Sequence, residues 1–157
     1  VIDNVTLTYT KNSAVFKSDE YTIYTRLITG NYFPYQKMFT EGEINTCASR
    51  TALIGAMTRA KMCTEEKQPA VFQIEDDVLN ISIRDKLADY QEQVPLQETV
   101  CKSIRLGFDS KLVLETLKAF TCENIALGFT SPRTPMIVEA EDSDMKAMVL
   151  PVAIREA

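Results

Sequence analysis

The chain contains an internal repeat. Residues 4–10 read Asn4-Val5-Thr6-Leu7-Thr8-Tyr9-Thr10, and residues 124–130 read Asn124-Ile125-Ala126-Leu127-Gly128-Phe129-Thr130. Both run Asn, a β-branched apolar residue, any residue, Leu, any residue, an aromatic and Thr. A self-match at an offset of 120 residues points to tandem copies of one domain-sized unit, which constrains the fold more than composition does. The second copy is preceded by strand and helix patterns. The first has nothing in front of it, so the chain is expected to begin partway through a domain.

Residues 5–10, 14–17 and 21–28 alternate in the strand manner and are rich in Val, Thr, Tyr and Ile. Lys11-Asn12-Ser13 and Ser18-Asp19-Glu20 separate them as turns, giving a three-stranded meander. From Gly30 to Thr40 the alternation stops. Gly30, Pro34 and a cluster of aromatics mark an inter-domain connection, expected to be packed because Tyr32, Phe33 and Tyr35 are costly to leave in water.

A short strand at 44–48 leads into Ser49, an N-cap residue. The helix it caps runs to about residue 62, with Ala52, Leu53, Ala56, Met57 and Ala60 as its apolar stripe. Strands are expected at about 70–75 and 78–84, and a longer one within 89–101, where Pro95 marks an edge position or a bulge. A second unit starts with a strand at 103–108. Asp109 or Ser110 caps a helix over 110–120 whose buried face is Leu112, Val113, Leu117 and Phe120. Strands follow at 124–130, 135–140 and 146–152. Strand–helix–three strands thus occurs twice, at about 44–101 and 103–153. Residues 1–28 match the three-strand tail of such a unit. The fold class is α+β: two helices backed by antiparallel sheets.

The 157 residues carry a net charge of −5, which argues against a whole-surface nucleic-acid binder. Residues 49–62 hold Arg50, Arg59 and Lys61 with no acid. Residues 110–120 hold Lys111 and Lys118 against Glu115. The helices are therefore basic and the remainder of the chain is acidic. At about 100° per residue, Lys111 and Lys118 lie within about 20° of each other opposite the apolar arc, and Arg50 and Lys61 are similarly close. Such a stripe is either a solvated charged face or a surface presented to a polyanion.

Catalytic chemistry is missing from the sequence. There is no histidine, which removes the commonest general base and any Ser-His or Cys-His pair. Cys47, Cys63, Cys101 and Cys122 have no zinc spacing, and no glycine-rich phosphate loop is present. Glu75, Asp76, Asp77 and Asp85 sit at strand ends and turns, where solvated carboxylates are expected. No metal, cofactor or enzymatic activity is expected. No apolar run reaches membrane-span length, and no signal peptide is expected from Val1-Ile2-Asp3-Asn4. The cysteines are read as reduced, buried small hydrophobes of a cytoplasmic protein.

The C-terminal run Met148-Val149-Leu150-Pro151-Val152-Ala153-Ile154 is apolar with a proline inside it. Strand pairing must end or shift at Pro151. The run is either a last strand tucked into the core or one wall of an apolar groove for a partner peptide.

Taken in order, four segments resemble the bacterial DNA polymerase sliding clamp, the β subunit of the replicative polymerase. They are Tyr24-Thr25-Arg26-Leu27-Ile28-Thr29-Gly30-Asn31-Tyr32; Leu106-Gly107-Phe108-Asp109; Leu117-Lys118-Ala119-Phe120 with Cys122-Glu123-Asn124; and Val149-Leu150-Pro151-Val152. The resemblance implies a ring of two head-to-tail subunits, each with three copies of a two-helix, two-sheet domain, with helices lining the DNA pore. Residues 41–157 then correspond to the third domain, 30–40 to the connection, and 1–29 to the last three strands of the second domain.

The resemblance further implies a peptide groove at Phe33, Pro34, Lys37, Met38, Arg133, Pro135, Met148, Val149, Leu150, Pro151, Val152 and Ile154. It implies DNA-facing cations at Arg50, Lys61, Lys111 and Lys118, and a ring contact at Met62, Cys63, Asp89 and Glu92. The implied partners are double-stranded DNA, polymerase subunits, a clamp loader, repair proteins and further copies of the subunit. The family's Gly-x-[FY]-Pro is here Gly30-Asn31-Tyr32-Phe33-Pro34, and its Met-Arg-Leu ending is Val152-Ala153-Ile154, followed by Arg155-Glu156-Ala157. A stand-alone peptide-binding module without DNA binding is the alternative function. On physical grounds alone, three strands with no helix beneath them leave an apolar face that another copy of the chain is expected to cover.

Overall fold

The structure, a computed structural model, describes residues 4–63, 68–84, 89–140 and 143–154. The chain divides into two compact units, residues 1–35 and 36–157. Asp85 and Arg155–Ala157 lie outside the described residues.

The first unit is an antiparallel meander of β1 (Thr6–Tyr9), β2 (Ser13–Lys17) and β3 (Thr22–Arg26). Its turns close as the polar residues predict. Thr10 Oγ1 accepts from the Ser13 N–H at 3.2 Å, and Ser18 Oγ accepts from the Tyr21 N–H at 3.1 Å. The period of two places Leu7, Phe16 and Ile23 in one cross-strand row, beside the row Tyr9, Ala14 and Thr25. The connection is less covered than its aromatics suggest. Tyr32, Phe33 and Tyr35 are all exposed, and Tyr32 packs edge-to-face on Tyr35, centroids 5.8 Å apart. The connection includes a 3-10 turn over Tyr35–Met38.

The second unit contains β4 (Ile44–Ser49), α1 (Arg50–Met62), β5 (Ala70–Arg84), β6 (Asp89–Phe108), α2 (Ser110–Ala119), β7 (Asn124–Phe129), β8 (Met136–Ala140) and β9 (Ser143–Val149). The strands form one six-stranded sheet in the order β5-β6-β4-β7-β8-β9. The two helices pack on each other, α1 also against β4, β5 and β6, and α2 against β9.

The two strand–helix–strands units are interlocked rather than side by side. The strand entering α1 pairs with the strand leaving α2, Ser49 opposite Asn124. The strand entering α2 pairs with the strand leaving α1, Phe108 opposite Ala70. Each half therefore completes the other's sheet. Phe72 and Phe108 meet edge to face at 5.2 Å in the shared core, beneath Leu53 and Met57.

Four expected strands are two long ones. Residues 70–84 run continuously through a bulge at Asp76, which has φ 52°, and residues 89–108 are likewise one strand. At this bend Val78 opposes Pro95 and Asp76 opposes Val100, so residues 96–99 swing away from β5, and Leu96 pairs with Ala48 of β4. Pro95 sits at the irregularity, where its missing donor breaks no regular rung.

Helix α1 begins at the expected cap, with Ser49 Oγ accepting from the Ala52 N–H at 3.4 Å. For α2 the cap is Asp109, whose carboxylate accepts from the N–H groups of Lys111 (2.8 Å) and Leu112 (3.2 Å). Its buried face differs from expectation: Leu112 is 50% exposed and Leu114 is buried instead. The buried stripe is Ser110, Val113, Leu114 and Leu117, a 3.6-residue pattern that opens on a polar residue. The Ser110 hydroxyl within it has no hydrogen-bond partner among the described residues. Of the cysteines only Cys122 is buried, Cys47 and Cys63 are half-buried and Cys101 is exposed, which corrects the expectation that all four are core residues.

Candidate functional site

The helix cations differ in how far they are engaged. Arg50 is half-buried. Its Nε donates to the Cys122 carbonyl at 2.7 Å, and its backbone N–H donates to the Glu123 carbonyl at 2.9 Å. It fastens the start of α1 to the link between α2 and β7. Lys61 is exposed at the far end of α1. Lys111 and Lys118 are exposed on α2, and neither has an ion-pair partner among the described residues. The two α2 lysines are thus the clearest cations for a polyanion, because no internal acid competes for them.

Arg59 is occupied. Its guanidinium forks onto Glu92 of β6, with Nε to Oε2 at 2.8 Å and Nη2 to Oε1 at 2.5 Å. The Tyr90 hydroxyl lies between the Ala56 carbonyl at 2.9 Å and Glu92 Oε2 at 2.5 Å, two acceptors sharing one proton. The hydrogen bonds from Arg59 and Tyr90 hold the Glu92 carboxyl below its ordinary range. The Glu92 pair likewise raises Arg59. Burial first, and the Glu92 hydrogen bond second, push the Tyr90 phenol up. These residues clip the second half of α1 to β6. Beside the clip, Met62 is 82% exposed, Cys63 half-buried and Asp89 exposed. Arg59 and Tyr90 were not among the sequence candidates, since a pair 33 residues apart leaves no local signal.

The terminal segment starts in the core and then leaves it. β9 ends at Val149, which is 3% exposed, and Leu150 then stands 56% exposed. After Pro151 the chain crosses to β6, where Val152 N–H donates to the Gly107 carbonyl at 2.8 Å. Val152 is 41% exposed and Ile154 half-buried. Gly107 permits the crossing. A Cβ there would lie 2.8 Å from Val152 O and 3.0 Å from Ile154 Cγ1. A glycine inside a strand pattern is the signal for such a backbone approach.

The structure brings several groove candidates together at one end of the β8–β9 hairpin. The last rungs pair Met136 with Val149 and Ile137 with Met148. Pro135 and Leu150 are the residues immediately beyond the first of these. Arg133 is exposed within the turn closed by Ser131 and Thr134. Lys37 is exposed and Met38 half-buried near the start of the same unit, while Phe33 and Pro34 are exposed residues of the first unit. Ile154 faces elsewhere. It lines a largely polar concavity of about 720 Å3 walled by outward residues of β5 and β6, among them Gln73, Arg84, Gln91 and Arg105. Among the described residues no cluster of His, Cys, Asp and Glu is placed to hold a metal ion, and no helix is long and apolar enough to cross a membrane.

Comparison with known proteins finds similarity over nearly the whole chain. The curated "Beta sliding clamp" of Streptococcus pneumoniae serotype 4 is 23% identical over 159 residues, spanning 98% of this chain and 42% of that protein. A solved DNA polymerase sliding clamp from Caulobacter crescentus superposes with a TM-score of 0.87 at 14% identity, over 96% of this chain and 41% of that one. The DNA polymerase III β chain of S. pneumoniae gives 0.85 at 22% identity, over 97% and 42%. The chain therefore spans about 42% of the length of the relatives it matches. The family model described as "DNA polymerase III beta subunit, C-terminal domain" matches residues 38–153, and the chain belongs to that family.

Proposed function

We propose that this chain is the C-terminal part of a DNA sliding clamp, a non-enzymatic processivity factor that follows duplex DNA without reading its sequence. The observation that carries this reading is the course of the terminal segment. Val149 anchors it in the core and Gly107 receives it on β6, so Leu150 and Val152 are held exposed on a fixed backbone. Apolar side chains presented this way suit a short apolar peptide, and the fixed backbone lowers the ordering cost of binding.

Lys111 and Lys118, with Lys61 and Arg50 on the neighbouring helix, supply the phosphate-facing charge. The acidic remainder of the chain repels DNA elsewhere. Under this reading polymerase subunits, a clamp loader and repair proteins dock through peptide motifs, and subunits join head to tail through the Met62–Cys63 end of α1 and the Asp89–Glu92 stretch of β6. Because Glu92 is already paired with Arg59, exposed Met62 carries more of that contact than ion pairs do. The protein works in the cytoplasm, where replication takes place.

A fluorescence-anisotropy titration with a labelled Gln-Leu-x-Leu-Phe peptide tests the reading. Saturable binding that vanishes when the final Leu-Phe is replaced by Ala-Ala is expected. Equal signals from both peptides contradict it.

A further inference from the structure

Residues 149–154 are held at both ends and open in the middle. Val149 is 3% exposed where β9 ends, and Ile154 is half-buried. Between these two apolar side chains Leu150 and Val152 stand exposed. Sequence places Ile154 in the same apolar run as Leu150 and Val152, yet the fold gives it a different seat.

That seat is the space left by a missing side chain. Ile154 lies over Gly107, where a Cβ would meet Ile154 Cγ1 at 3.0 Å and Pro69 Cβ at 3.2 Å. Val71 is the register partner of Gly107 and lines the same hollow as Pro69 and Ile154. These residues make the apolar end of a hollow whose other walls are mostly polar. The hydrogen bond from the Val152 N–H to the Gly107 carbonyl is an isolated bridge, not a rung of a ladder. A lone bond on an exposed residue exchanges readily for one to water, so apolar packing beside it is what keeps it closed.

We propose that Ile154 is a positioning residue. Seated over Gly107 beside Pro69, it keeps the Val152 bridge closed and fixes the backbone that presents Leu150 and Val152, without touching a docked peptide itself. The proposal rests on the peptide-binding reading above and moves Ile154 from groove wall to anchor. A backbone fixed in advance has less freedom to lose on binding. Loss of the anchor therefore weakens binding while the contacting side chains stay the same.

Amide hydrogen exchange and peptide affinity of the whole chain test this, with the wild type, Ile154→Ala and Ile154→Val compared. The exchange measurement needs no peptide. In the free chain the Val152 N–H should exchange at least fivefold faster in Ile154→Ala and near the wild-type rate in Ile154→Val. The amide of Leu106, buried in β6, should be unchanged in both, which separates local release from loss of the fold. Titration with the Gln-Leu-x-Leu-Phe peptide should show at least a fivefold loss of affinity for Ile154→Ala, recovered in Ile154→Val. In the wild-type complex, nuclear Overhauser contacts from peptide protons should reach the Leu150 and Val152 methyls and miss those of Ile154. Unchanged Val152 exchange in Ile154→Ala overturns the proposal. So does an unchanged affinity, or a peptide contact to Ile154 as strong as that to Leu150. A wild type that binds no peptide contradicts the peptide-binding reading instead, and the exchange rates still support or overturn the anchor.

Discussion

The Val152 N–H donates to the Gly107 carbonyl at 2.8 Å, and this one bridge ties the last residues to the strand that enters α2. Gly107→Ala would put a methyl 2.8 Å from the Val152 oxygen and 3.0 Å from the Ile154 side chain. The neighbours are backbone on one side and Pro69 on another, so the terminal segment must move. A loss of about 1–3 kcal/mol of stability is expected from overpacking. Peptide affinity should fall at least tenfold. Urea denaturation and the anisotropy titration measure the two effects.

Ser110 gives a prediction of opposite sign. Its hydroxyl is buried with no partner among the described residues, at a cost of about 1–3 kcal/mol. Ser110→Ala keeps the small side chain and removes the unmet polar group. The variant should be more stable than the wild type by about 1 kcal/mol. An unchanged or lower urea midpoint would mean that the hydroxyl finds a partner, such as a bound water.

The clip between α1 and β6 predicts a pH dependence. Glu92 titrates lower in the folded chain than its ordinary value of 4.5 because Arg59 and Tyr90 hydrogen-bond to it. A depressed carboxyl contributes stability that is present above its unfolded pKa and lost as pH falls through the folded one. Glu92→Gln should therefore be less stable than the wild type at pH 7, and the gap should close below about pH 4. The effect is small because the pair is partly exposed and screened by solvent. Urea midpoints of both proteins across this range decide it. A gap that persists at low pH would assign the loss to packing.

Helix charge predicts a salt dependence. If Lys111 and Lys118 face phosphates, replacing each with Ala lowers the slope of log affinity against log salt for duplex DNA by about one. Arg59→Ala should leave the slope unchanged, since that guanidinium is held by Glu92. A slope that drops for Arg59→Ala and not for the lysines would move the DNA face to the other side of α1.

Local patterns were legible in the sequence and long-range ones were not. Ser49 and the stripe Leu53, Ala56, Met57 and Ala60 set α1 to within a residue, because cap and period agree. In α2 the buried stripe opens on polar Ser110, so the apolar pattern points to Leu112 where the structure buries Leu114. Glu75-Asp76-Asp77 and Pro95 look like strand breaks, yet they mark a bulge where β6 passes from β5 to β4. Pro151 announced the end of β9 but not its destination. The Gly107 bridge and the Arg59–Glu92 fork join residues dozens of positions apart, and no periodicity encodes them.

The measurement that tests the central claim most directly is amide chemical-shift mapping of the isotope-labelled chain during titration with the Gln-Leu-x-Leu-Phe peptide. The account predicts the largest shifts at Leu150, Val152, Met136 and Gly107, with Lys111 and Lys118 unmoved. Shifts confined to the helices, or none near Leu150 and Val152 at saturation, would contradict it.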